Sequence, residues 1–475
     1  MTTLLSILMP VFNEEDTVAA AVQRLLAVDF GVGVEIEVVV VDDGSTDRSH
    51  AILEQLRDTN PERVILLTHE QNRGKGAAIR SAIARASGEF AVVQDSDLEY
   101  DPTDLPRLIR PLIEGRADAV FGSRFLNSGE RRVLYFWNSL ANHFLTTVCN
   151  IFADMNLTDV ETGYKAFRLS LVKSIPLRSD RFGIEPELAI KLAQRGAAVY
   201  EVPVSYHGRT YIEGKKIGAK DAFIALAVIL KYGLRRDIYH DDGERILDTL
   251  ARTPRFNQWM ADTVAPYAGP RILELGAGIG NLSAFLSRSR QTYFATDINA
   301  AHLERLRVRF QNRPNVSISH CDLSVPEDFA PFEGQVDTVV CLNVLEHVED
   351  DVNGLRNIGR ALRVGGTAVV LVPQDESIYG TLDTVLGHCR RYSEDSLRQC
   401  LREAGFDVKA ILRFNRITRP GWYLNGRILR RRRFSVIQLW FFDRLVWLWR
   451  KIDRHLPWRS LSIIAIAEKP GRQEL

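Results

Sequence analysis

Residues 35–47 constrain this chain more than any other stretch. Val38-Val39-Val40-Val41 run straight into Asp42-Asp43-Gly44-Ser45-Thr46-Asp47. Four consecutive β-branched residues leave no wet face. They suit a strand buried on both sides, as in a parallel sheet covered by helices. In such open sheets, ligands bind beyond the carboxyl ends of the strands. That is where this run delivers its carboxylates.

The pattern recurs on either side. The apolar segment 4–9 ends in Pro10-Val11-Phe12-Asn13-Glu14-Glu15, and Ala91-Val92-Val93-Gln94 runs into Asp95-Ser96-Asp97-Leu98-Glu99. Strands are expected at 4–9, 35–41, 64–68, 90–94 and 119–122, with helices at 15–27, 49–58 and 76–86. After a polar stretch at 236–244, which reads as a linker, the alternation starts afresh. Strands are expected at 271–275, 292–296, 316–320, 338–342, 367–372 and 461–467. Two α/β domains follow, at 1–235 and 245–475.

Composition narrows the function. With 475 residues, 45% hydrophobic and 25% charged, the chain is ordinary globular material. Sixty-one Lys and Arg against 60 Asp and Glu give a net charge of +1, which argues against a general nucleic-acid binder. Five cysteines are scattered without a CxxC pair, so no disulfide framework or zinc site is expected and a reducing compartment fits better. The first residues lack the basic leader of a secretory signal. No stretch reaches the roughly 18 apolar residues of a spanning helix.

Carboxylates at Asp95, Asp97 and Glu99, just past a strand, can share one hard cation such as Mg²⁺ or Mn²⁺. Asp-x-Asp alone is an ordinary solvated turn, and it is the combination that is specific. PVFNEE, VVDDGSTD, NRGKGAAIR, QDSDLEYDP, GSRF, ETGYKAFR and GRTYIEGKKI, in this order, resemble family 2 glycosyltransferases. The resemblance is to the branch of dolichol- and polyprenyl-phosphate mannose synthases, with a nucleotide-sugar-binding type A fold. It implies that Pro10, Phe12, Glu14, Val41 and Asp43 line the nucleotide, with Phe12 replacing the usual Tyr. It implies a metal held by Asp95, Asp97 and Glu99. It also implies that Arg124, Arg131, Arg209 and Lys216 meet the acceptor phosphate and the diphosphate. The donor implied is a GDP- or UDP-hexose, the acceptor a polyprenyl phosphate, and the transfer inverting. No QxxRW follows, which disfavours a processive polymerase.

In the second half, Arg271-Ile272-Leu273 leads into Glu274-Leu275-Gly276-Ala277-Gly278-Ile279-Gly280-Asn281. The spacing is GxGxG, with Asn281 where a dinucleotide fingerprint needs Gly or Ala. The next strands end at Asp297 and Asp322. With DTVVCLNVLEH, RVGG and GHCRRYS, this half resembles class I S-adenosylmethionine-dependent methyltransferases. The resemblance implies cofactor contacts at Glu274, Gly276, Gly278, Gly280, Asp297 and Asp322. His347 or His388 is a candidate base, and either also suits a structural role. A Trp- and Arg-rich insertion is expected near 420–458, before an antiparallel final strand.

The expected protein is a bifunctional enzyme of glycolipid or glycan metabolism. It would sit peripherally on the cytoplasmic face of the cell membrane, touching anionic lipid through the apolar run 222–230 and the amphipathic stretch 434–454; the first also reads as a core helix of its domain, the second as a helix packed on the second domain. Two alternatives stay open: a glycan, protein or secondary-metabolite acceptor, or a membrane-surface scaffold with one inactive domain.

Overall fold

The valine run of the first half forms the second strand of a seven-stranded sheet. The computed structural model describes residues 2–126, 133, 135–208, 219–239, 242–251, 253–431 and 436–471. Its strands are β1 (Thr3–Val11), β2 (Val34–Asp42), β3 (Val64–Thr68), β4 (Phe90–Val93), β5 (Ala119–Ser123), β6 (Lys165–Arg168) and β7 (Val199–Pro203). Their order is β3-β2-β1-β4-β6-β5-β7, with β6 antiparallel to both neighbours. The side-chain period of two explains why β2 carries valine throughout. Val39 and Val41 join the core on one face, and Val38 and Val40 that on the other. β1 lies between β2 and β4, so the chain reverses its winding there and three carboxyl ends meet.

The second sheet comprises β8 (Arg271–Leu275), β9 (Thr292–Asp297), β10 (Val316–His320), β11 (Val336–Leu342), β12 (Leu362–Pro373), β13 (Asp407–Phe414) and β14 (Ser462–Glu468). The order is β10-β9-β8-β11-β12-β14-β13. β14 runs antiparallel between β12 and β13, as expected of the final strand. Here β8 is the switch strand, between β9 and β11. The chain divides into units Met1–His240 and Asp241–Leu475.

The structure adds detail to three expectations. The stretch 236–244, expected as a linker, spans the division between the two units, and its first residues pack on the first unit. Arg236 donates to the Gln194 carbonyl at 2.7 Å, Asp237 pairs with Arg178 at 2.8 Å, and Ile238 is buried. A helix, Asp242–Ala251, then opens the second unit. The apolar run 222–230 lies in a helix, Ala219–Leu234, with one side in the core through Ala225, Ile229 and Tyr232 and with Phe223 and Leu234 exposed. The stretch 434–454 is not one amphipathic helix. It forms Val436–Arg444 and Val446–Ile452, which place Phe442, Val446 and Trp449 against the second core and leave Trp440, Phe441 and Trp447 exposed. Among the described residues, no helix is long and apolar enough to cross a membrane.

Candidate active sites at two strand edges

At the first switch point the loops after β1 and β2 are laced together. The Asn13 carboxamide oxygen accepts from the Thr46 amide at 2.8 Å, and Ser45 and Ser49 hydroxyls accept from the Asn13 and Glu14 amides at 3.1 and 2.8 Å. Pro10 is the last residue but one of β1, and its carbonyl accepts from the Ser96 hydroxyl at 3.2 Å. Phe12 is partly exposed. Glu14 accepts from Thr17 at 2.8 Å, bracing the start of the next helix. The Val41 side chain is fully buried in the core, so it contributes backbone but no side chain to this edge.

Asp43 is buried and fully engaged. Its carboxylate accepts from the Arg73 and Gly74 amides at 3.0 and 2.7 Å and faces His69 Nδ1 at 2.6 Å. Gly74 is required here, since a Cβ would lie 2.3 Å from the Asp180 carbonyl oxygen and the backbone has φ +96°. The next residue, Lys75, opens the helix Lys75–Arg85 and reaches Asp95 at 2.9 Å and Glu185 at 3.0 Å. One three-residue segment therefore bridges the carboxylates of β2 and β4. Burial disfavours a charged Lys75, but Asp95 and Glu185 more than compensate and hold its pKa well above the usual range. Lys75, Glu185 and His69 were not singled out in the sequence as site residues. NRGKG carried a signal for Lys75 only.

Among the described residues, Asp95, Asp97 and Glu99 do not bring three ligand atoms close enough to form one set. Leu98 turns with φ +62° between Asp97 and Glu99. The Asp97 carboxylate accepts from the Glu99 amide at 3.1 Å, and the Glu99 carboxylate accepts from the Tyr206 hydroxyl at 2.8 Å. Asp95 and Asp97 offer the oxygen donors a hard cation prefers, whereas Glu99 is directed to Tyr206. Arg124 is also committed. It forks onto Asp159 with two bonds of 2.7 Å and lies over the Tyr206 ring. Arg131, Arg209 and Lys216 lie outside the described residues.

In the second unit, a cavity of about 1170 Å³ opens at the carboxyl ends of β8–β11. Gly276, Gly278 and Gly280 all have positive φ, at +66°, +57° and +79°. A Cβ on Gly276 would lie 2.3 Å from Val344 Cγ2, and one on Gly280 2.7 Å from Phe310 Cε2. Asp297 ties β9 to the loop by accepting from the Gly278 amide at 2.8 Å, and also faces Asn299 N at 2.8 Å and His302 Nδ1 at 3.1 Å. Burial opposes its ionisation, yet these bonds keep its pKa below the usual value. Asp322 lines the same cavity and accepts from the Ser324 amide at 2.8 Å. Glu274 is buried and accepts from Ser283 and, at 2.9 Å, from Tyr293. Burial pushes its pKa up to about 7, with those bonds pulling the other way.

His347 and His388 both line the cavity, with ring centroids 5.0 Å apart. Trp422 lines it too and bonds Asp383 at 3.2 Å. Phe442 and Trp449 close another side. Part of the Trp-rich insertion is thus wall of this pocket, in line with the alternative in which it packs on the second domain. The glycine cradle, the carboxylate at the end of β9 and the volume fit a nucleoside-sized cofactor with room for an acceptor.

Comparison with known proteins finds a family match in each half of the chain. Residues 6–175 match the Glycosyl transferase family 2 model, and residues 273–368 match a Methyltransferase domain model. The glycosyltransferase AglJ of Haloferax volcanii is 30% identical over 43% of this chain and 63% of its own length. The undecaprenyl-phosphate 4-deoxy-4-formamido-L-arabinose transferase of Edwardsiella ictaluri is 28% identical over 44% of this chain and 62% of its own. The UDP-N-acetylglucosamine–dolichyl-phosphate N-acetylglucosaminyltransferase of Methanococcus voltae is 27% identical over 42% of this chain and 84% of its own. The chain spans less than two thirds of the first two. The matches thus place a family 2 glycosyl transferase domain in the first half of the chain and a methyltransferase domain in the second.

Proposed function

We propose that the first unit transfers a hexose, with inversion, from a GDP- or UDP-sugar to a polyprenyl phosphate, and that the second transfers a methyl group from S-adenosylmethionine within the same glycolipid or glycan pathway. The observation that carries the first reading is the Arg73–Lys75 segment bridging Asp43 and Asp95 at the switch point. It supports a donor site there, with nucleotide toward Pro10, Phe12 and Asp43 and diphosphate toward Asp95 and Asp97. Two of the relatives are named for undecaprenyl-phosphate and dolichyl-phosphate acceptors, which supports a lipid phosphate acceptor here.

Such an acceptor is already an anion at neutral pH. The protein then has to position it and neutralise charge, with no strong base needed. A Mg²⁺ or Mn²⁺ ion held by Asp95 and Asp97 would supply charge for the departing diphosphate. Lys75 adds a fixed cation beside the same carboxylate. Arg124, locked by Asp159, acts by shaping the acceptor side rather than as a mobile phosphate clamp.

In the second unit, S-adenosylmethionine would supply an electrophilic methyl group. The Gly276–Gly280 loop, Asp297 and Asp322 would hold its amino-acid, ribose and adenine parts in turn. Peripheral attachment to the cytoplasmic leaflet belongs to the same proposal. It is supported by exposed Phe136, Trp137, Leu140 and Phe144 on the helix Phe136–Ala153, and by Phe223 on the helix Ala219–Leu234. The core faces of these two helices share one hydrophobic cluster.

Incubation of the chain with sugar-labelled donor, polyprenyl phosphate and Mn²⁺ tests the first reading. Label extracting into organic solvent is expected. Label confined to the aqueous phase points to a glycan, protein or small-molecule acceptor instead.

A further inference from the structure

A second cluster of ligating groups lies in the methyltransferase unit. Glu346, His347 and His388 each bring one ligand atom within 4.8 Å of the other two. Glu346 is fully buried, and among the described residues neither of its carboxylate oxygens has a hydrogen-bond partner from another residue. The nearest cation-capable group is His388 Nε2, at 3.7 Å, beyond hydrogen-bonding distance. A buried carboxylate without partners is costly, and it is held here against two imidazoles. That is the arrangement a bound cation repays.

The histidines are set for the same purpose. Nδ1 of His388 faces Asp383 Oδ1 at 3.0 Å. Asp383 is itself held by Arg391 Nε at 2.9 Å and Trp422 Nε1 at 3.2 Å. Nδ1 of His347 faces the Gly387 carbonyl at 3.0 Å. Each Nδ1 thereby faces an oxygen acceptor, the arrangement that leaves the lone pair on Nε2; the His347 ring also meets the Asn343 backbone. Carboxylate–histidine and carbonyl–histidine pairs of this kind orient metal ligands.

We propose that Glu346, His347 and His388 bind a divalent transition-metal cation, of the Zn²⁺, Mn²⁺ or Fe²⁺ class, at the wall of the cavity that holds Gly276 and Asp297. Two imidazoles and one carboxylate are the donor set for such ions, and a site with three protein ligands keeps a position open. His347 and His388 line the cavity, so the open position faces it. An oxygen-bearing acceptor fits there. That last role rests on the methyl-transfer reading; the metal site does not. The two histidines are then ligands rather than free bases.

Cobalt(II) is the probe, read by visible d–d absorption and by bound-metal content. The full chain carrying Asp95→Asn and Asp97→Asn removes the other carboxylate pair from the count. After chelator treatment and dialysis, this protein is expected to bind about one Co²⁺ with the absorption of a histidine-ligated site, displaced by Zn²⁺. His347→Ala and, separately, the isosteric Glu346→Gln are each expected to weaken binding at least about tenfold. His347 is exposed, so its variant keeps the fold, verified by a cooperative thermal transition. Absence of histidine-ligated absorption in the parent, or unchanged affinity in His347→Ala, overturns the proposal. Neither outcome bears on S-adenosylhomocysteine binding, which reports the methyl-transfer reading separately.

Discussion

Single carboxylates in this protein differ sharply in what surrounds them, and their chemistry follows. Asp43 is met by two backbone amides and an imidazole, and these bonds tie the Arg73–Lys75 segment to it. Glu274 is equally buried but meets only two hydroxyls, so it is held near neutrality, with a pKa of about 7. Its folded value lies above the ordinary carboxyl value of 4.5. The folded state therefore favours the protonated form, and the stability this gives is fully present below about pH 4.5 and is lost as pH rises through 7. Glu274→Gln keeps an oxygen for Ser283 and Tyr293 but has no proton to lose. Relative to wild type, the variant is expected to gain about 2–3 kcal/mol in stability between pH 5 and pH 8. Denaturant midpoints across that range measure it, and parallel pH dependences of the two proteins would contradict it.

At the scale of elements, strand ends and loop glycines place the ligands. Gly276 combines φ +66° with a neighbour 2.3 Å from where a Cβ would sit. Gly276→Ala is expected to weaken S-adenosylhomocysteine binding roughly tenfold or more, since the backbone cost alone is about 1–2 kcal/mol. Isothermal titration of the full chain measures this, with sugar transfer unchanged as the control. The strands themselves were legible because valine-rich runs between turn signals leave little choice of period, and the positions of Asp43, Asp95 and Asp297 at their ends followed. What each side chain does there was not legible. The Lys75–Asp95 and Lys75–Glu185 pairs join residues 20 and 110 positions apart, and no local pattern encodes them. Val41 read as a ligand position, yet the strand period turns its side chain into the core. The 434–454 stretch read as one amphipathic helix because its charges recur at near-heptad spacing. The packing of Phe442 and Val446 on the core broke it at Leu445.

For the whole molecule, each unit carries a complete sheet with its own switch point, so the two chemistries are separable by point substitution. Surface apolarity is the other property at this scale. Trp137 and Phe223 are 75% and 73% exposed, and such residues favour a bilayer interface. The chain is expected to sediment with anionic liposomes at low salt. Trp137→Ala with Phe223→Ala is expected to reduce the bound fraction strongly, because each lost anchor costs about 1.5–3 kcal/mol of apolar burial. Equal sedimentation of both proteins would contradict the assignment of this surface. The most direct test of the central claim is transfer of labelled sugar to polyprenyl phosphate by wild type and by Asp97→Asn, with S-adenosylhomocysteine binding followed in the same samples. Organic-extractable label is predicted to fall by about 100-fold or more in the variant with cofactor binding intact. Undiminished transfer by Asp97→Asn would place the glycosyl-transfer site somewhere other than the strand edge of Asp43 and Asp95.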